Sequence, residues 1–161
     1  MGYQDIFLKI EGAKQGPIKG ESRDDKHRDE IDVVGWSWGM QAKTALGGGG
    51  AAPKATVNEL LVTKRVDSAS AALMAALRNN DEIKKAVLTC RKAGKTAHEY
   101  LRVTLQKGRI TSLEVATGGE SDEQVLYEKL AIAFKRITVE YVPQGDDGQP
   151  RGSMMFETEI T

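Results

Sequence analysis

Apolar and polar residues alternate at period two over most of this chain. The stretches 3–10, 30–41, 57–66, 85–92, 99–107, 110–116 and 126–142 all show the alternation, and each is predicted to be a strand. Within the fifth, Leu101, Val103 and Leu105 point inward while Arg102, Thr104 and Gln106 face out, the signature of a half-buried antiparallel strand. In the last, Leu130, Ile132 and Phe134 share one parity, and Ile137, Val139 and Tyr141 take the other, with Lys135 and Arg136 between them. A one-residue slip moves the apolar set to the opposite face, so a bulge or sharp bend near Lys135 is predicted.

The run 30–41 divides its side chains most sharply. Val34, Trp36, Trp38 and Met40 fall on one face, and Val33, Gly35, Ser37 and Gly39 on the other. The heavy face is expected in a core, together with Leu101, Val103 and Leu105. The bare one suits a surface that stays smooth or permits close approach.

One segment breaks the β pattern. Over 68–80, Ala69, Leu73, Ala76 and Leu77 make a stripe at helical spacing, with Asp67 or Ser68 able to cap the start and Asn79-Asn80 able to close the end in a left-handed conformation. Residues 42–55, including Ala42, Gly47, Gly48, Gly49, Gly50 and Pro53, have no apolar periodicity and are expected to form an extended loop that is disordered alone or ordered by a partner. The fold class predicted is therefore mainly β: an antiparallel β-barrel of two packed sheets with one short α-helix on its flank.

At 161 residues, the chain has the size of one domain, 1–161, burying roughly 70% of its unfolded surface. Its 23 basic and 23 acidic residues cancel, which removes the long-range field that gathers nucleic acid or anionic lipid. No apolar stretch approaches the roughly 20 residues of a spanning helix, and the N-terminal residues lack the pattern of a secretory signal. Neither membrane insertion nor export by the general secretory route is expected.

Candidate chemistry is sparse. Cys90 is the only cysteine and alternates with Ala86 and Leu88, which reads as a small core residue. The glycine stretch lacks a phosphate-loop pattern, and His27 and His98 lack ligand-like neighbours, so no cofactor or metal site is assigned and both histidines are read as surface or edge residues. The mixed charges over 23–30 read as a solvated or intersubunit loop. Asp32, sharing parity with Trp36, is read as partly buried and structural.

The run D-E-I-D-V-V-G-W-S-W-G-M at 29–40, with I-K-G-E-S before it, the four glycines after it, L-T-C-R-K-A-G at 88–94 and a late segment ending E-Y-V-P-Q at 140–144, resembles the Hcp family of type VI secretion tube subunits. The similarity spans about 6–144. It departs at 151–161, R-G-S-M-M-F-E-T-E-I-T, where the family more often closes with an aromatic, Asn-containing strand.

The resemblance implies a non-enzymatic role. It implies that six copies form a ring and that rings stack into the inner tube of a contractile machine with a sheath, a baseplate and a trimeric spike. It further implies that small protein effectors are carried or chaperoned in the lumen, and that the protein is made in the cytoplasm and secreted by this route. Under it, Ser37, Gly35, Gly39 and Val33 are the candidate lumen and effector contacts. The strand pattern alone leaves a second class open: a monomeric barrel that binds or hydrolyses a small ligand.

Overall fold

The computed structural model describes residues 4–42, 54–92, 97–118, 124–145 and 152–160. Strands β1 (Gln4–Gly12), β2 (Gly16–Ile18), β3 (Ile31–Ser37), β4 (Met40–Gln41), β5 (Thr56–Val57) and β6 (Leu60–Arg65) precede helix α1 (Ser70–Arg78), which is followed by β7 (Ile83–Lys92), β8 (His98–Gly118), β9 (Val125–Tyr141) and β10 (Met154–Glu159). The main sheet runs β10-β9-β6-β3-β1-β7-β8, and β8 also pairs with β9, which closes an antiparallel barrel through β1, β3, β6, β9, β8 and β7. Leu8, Ile31, Leu60, Leu88, Val103, Leu105, Ile132 and Ile137 are buried inside it, and Leu101 is partly buried against them.

The long strands bend as their parity demands. Val103 and Leu105 are buried before the bend in β8, and Gly108 and Ile110 after it; β9 switches at the same level, between Phe134 and Ile137. Gln106 pairs with Arg136 and Gly108 with Phe134, so no residue is gained or lost there. Lys107, on β8, takes up the turn with φ 54°. Both strands therefore rotate together near Lys135. The stretches 99–107 and 110–116 join into one strand because Gly108 and Arg109 keep their partners across this corner. Glycine is required here: a Cβ at 108 would lie 2.7 Å from the Ala133 carbonyl oxygen.

A second irregularity corrects the reading of the tryptophan strand. Val33 pairs with Lys64 and Gly35 with Thr63, which leaves Val34 as the extra residue of a bulge in β3. Val33 thus packs inward alongside Trp36 and Trp38, all three partly buried, whereas Val34 is 52% exposed and Met40 46%. Neither Val34 nor Met40 belongs to the core: the bulge turns Val34 outward, and Met40 lies past the end of β3 on a separate short strand. The strand also stops at Ser37: Trp38 donates its Nε1 proton to the Asn58 carbonyl at 2.9 Å, and Asn58 N–H donates to Gly39 at 3.0 Å. Beyond this corner Met40–Gln41 pairs with Thr56–Val57 as a short separate arm, β4–β5, at the root of the segment 42–55.

Helix α1 lies on the flank with Leu73 and Ala76 buried. Its C-terminus closes as the two asparagines predict: Asn80 adopts φ 55°, Asn80 N–H reaches the Leu77 carbonyl at 3.1 Å and Asp81 N–H the Ala76 carbonyl at 2.9 Å. At the other end Asp67 Oδ1 accepts from Ala69 N–H at 2.9 Å, and Ser70 Oγ accepts from Asp67 N–H at 3.0 Å. The atypical C-terminal segment forms β10, whose Met154 pairs with Tyr141 and Glu159 with Arg136.

Candidate functional surfaces

The outward faces of the barrel differ in chemistry. Where β3, β6, β9 and β8 lie side by side, their register builds two rungs: Ser37, Leu61, Ala131 and Ser112 in one, Gly35, Thr63, Lys129 and Glu114 in the next. These rungs line a depression of 420 Å³. A second depression of 330 Å³ continues it past Thr63, Glu114 and Lys129 to Tyr127 and Gly118. Short side chains, Gly35, Ser37, Thr63, Ser112 and Ala131, make up much of the floor, with two exposed apolar knobs, Leu61 at 51% and Val34 at 52%. Among the described residues its charges are Lys129 and Glu114, cross-strand neighbours of opposite sign.

The outward face of β8, β9 and β10 is charged instead. Arg102 lies 3.6 Å from both Glu99 and Glu140, and Arg136 pairs with Glu157 and with Glu159, the latter at 3.5 Å. Such pairs keep a sheet face hydrated.

Ser37 is exposed on the face of the two depressions. Gly35 shares that face, and a Cβ built there meets nothing within 4 Å. Gly39 sits at the corner by Asn58. Val33 does not share the face, since the bulge turns it inward. Ala42 is exposed beside the arm, and Gly47, Gly48, Gly49, Gly50 and Pro53 lie outside the described residues.

The segment 23–30 is pinned to the barrel rather than simply solvated. Arg91, on β7, donates Nη1 and Nη2 to the two Asp24 oxygens at 2.9 and 2.7 Å, and Nη2 also to Asp5 at 3.0 Å. The same guanidinium sits 4.9 Å from the Phe7 ring centre, and His27 stacks on Phe7 at 4.3 Å. His27 Nδ1 lies 3.0 Å from both Glu30 oxygens, and Nε2 lies 3.5 Å from Glu99. His98 donates Nε2 to the Val142 carbonyl at 2.8 Å. Both histidines are buried, contrary to the surface reading. The hydrogen bond from Arg91 holds the Asp24 carboxyl down to about 2.

Asp32, in contrast, is exposed, and partial desolvation followed by the nearby Asp67, Asp5 and Asp24 carboxylates pushes its carboxyl up. Burial pushes the Cys90 thiol up, away from the thiolate that a nucleophile needs. Among the described residues no group of three or more His, Cys, Asp or Glu side chains is arranged to hold a metal ion.

A family model described as "Type VI secretion system effector, Hcp" matches residues 7–141. The chain belongs to the Hcp family. Protein hcp1 of Pseudomonas aeruginosa is 41% identical over 151 residues, covering 92% of this chain and 89% of the relative. Among solved structures, one described as a type six secretion system protein superposes with a TM-score of 0.84 at 25% identity over 97% of this chain and 95% of that one. Hcp1 from Salmonella typhimurium gives 0.76 at 30% identity, over 98% and 95%. A type VI secretion system effector from Yersinia pestis gives 0.73 at 29%, over 97% and 100%. Hcp membership makes this chain a secreted, structural protein of the type VI system rather than an enzyme.

Sequence reasoning overlooked one polar group in this Hcp barrel. Lys64 on β6 and Glu128 on β9 are both 0% exposed and pair at 3.2 Å. Lys64 Nζ also meets Asp67 at 2.8 Å and Ser70 Oγ at 3.2 Å. The signal was available: Lys64 shares parity with the inward Leu60 and Val62, and Glu128 with Leu130 and Ile132.

Proposed function

We propose that this chain is the subunit of a ring of six copies, that rings stack into the inner tube of a type VI machine, and that the face bearing Ser37 and Gly35 lines the channel and contacts small protein effectors. The whole chain acts as one barrel unit, made in the cytoplasm and expelled with a trimeric spike by a contractile sheath on its baseplate. The arm β4–β5 carries the segment 42–55 toward a neighbouring copy.

The observation that carries this reading is the contrast between the two outward faces. One is laced with ion pairs, as befits solvent; the other has many short side chains, charges that cancel between Lys129 and Glu114, and two depressions that adjoin at Thr63, Glu114 and Lys129. A wall of small residues leaves space for a passenger, and repetition around a ring turns one weak contact per copy into avidity. The competing reading, a ligand held inside the barrel, has little space, because Leu8, Leu60, Leu88, Ile132 and Ile137 occupy the interior.

Two measurements test it. Solution mass with negative-stain microscopy should give rings near six times 17.5 kDa, and a monomer refutes the assembly. Ser37→Glu should preserve rings while reducing co-purified effector in a pull-down. Unchanged retention refutes the assigned channel face.

A further inference from the structure

We infer that the buried Lys64–Glu128 ion pair is a register lock between β6 and β9. Its chemistry singles out one pairing that the apolar residues of the two strands leave ambiguous.

In the native register Leu60 faces Ile132, Val62 faces Leu130 and Lys64 faces Glu128. A slip of two residues keeps every inward side chain inward, so the hydrophobic pattern does not forbid it. Shifted one way, Leu60 meets Phe134, Val62 meets Ile132 and Lys64 meets Leu130; shifted the other, Leu60 meets Leu130, Val62 meets Glu128 and Lys64 meets Leu126. The apolar pairs are interchangeable in most positions. The two charges are not.

Only the native register brings the Nζ of Lys64 to Glu128 while Asp67 and Ser70 take its remaining protons. Either slip parts Glu128 from Lys64 and leaves its carboxylate against valine, while Lys64 keeps its local partners Asp67 and Ser70; the unpaired Glu128 is the costly case. The pair also bears on the channel face. The register that joins Lys64 to Glu128 is the one that aligns Leu61 with Ala131 and Thr63 with Lys129 in the outward trough. A slipped barrel would present different rungs.

Replacing a buried ion pair by apolar residues often leaves stability intact, so stability is the wrong readout and register is the right one. The test uses the full chain in a Cys90→Ser background. Cysteines replace Thr63 and Lys129, which report the native register, or Thr63 and Ala131, which report a two-residue slip. With Lys64 and Glu128 present, oxidation should cross-link the first pair only.

With Lys64→Met/Glu128→Leu added, both pairs should cross-link, the slipped pair rising from background to a yield comparable with the native one. Lys64→Gln/Glu128→Gln, which keeps amide hydrogen bonds without charge, should also permit the slipped cross-link, and it answers the same question if the apolar variant does not fold. Native cross-linking alone in the variants overturns the proposal. So does failure of both to fold, since the network would then be supplying stability rather than register.

Discussion

Arg91→Met removes the group that ties three parts of the barrel together. In the parent, the guanidinium makes paired hydrogen bonds to Asp24 at 2.9 and 2.7 Å, a third to Asp5 at 3.0 Å, and covers the Phe7 ring at 4.9 Å. Methionine keeps much of the stem and loses the charge. A hydrogen bond to a charged group contributes about 1.5–3 kcal/mol, and a partly exposed cation–π contact about 0.5–1 kcal/mol. Asp24 and Asp5 keep some contact with water, which replaces part of what they lose, so the low end applies.

We expect a net loss of about 2–3 kcal/mol, which for a chain of this length lowers Tm by about 4–12 °C. The loss should be pH-dependent. Asp24 has its carboxyl lowered from 3.8 to about 2, so the stability it contributes is present above 3.8 and disappears as pH falls through about 2. The gap between thermal melts of parent and variant at matched protomer concentration should therefore narrow over that window, with the Phe7 contact accounting for a remainder. Hydrogen exchange should show faster opening of 23–30 in the variant at neutral pH, where His27 and Asp24 anchor the segment. Equal melting temperatures at neutral pH, or a gap that stays constant on acidification, would refute the assignment.

Further outcomes follow from the packing. Gly108→Ala forces a Cβ to 2.7 Å from the Ala133 carbonyl oxygen at the shared bend, and should cost about 1–3 kcal/mol in chemical denaturation; a neutral result would mean that the bend relaxes freely. Leu88→Ala, fully buried, should cost about 2–5 kcal/mol, while Val34→Ala on the exposed bulge should stay within about 0.5 kcal/mol. Similar losses at the two positions would overturn the burial assigned to Val34.

The sequence carries most of this fold because period-two alternation and end-capping are local. The strands around Leu8, Val62, Leu88 and Leu130, the helix ending at Asn79-Asn80 and the parity switch near Lys135 all follow from neighbours within a few residues. A strict alternation also assigned Ser37 and Gly35 to one face, where the barrel places them. Tertiary structure decided the rest. The bulge at Val34 exists because β3 must pair with β6, and it sends Val33 inward and leaves Val34 outside. The same closure exposes Met40 by turning the arm away at Gly39 and Asn58. His27 and His98 are buried by a phenyl ring and a carbonyl distant in sequence. Lys64 finds Glu128 across 64 residues. Local pattern tells which side chains share a face; only the pairing of distant strands tells which of them meet, and a charge is tolerated in a core only where its partner is brought to it.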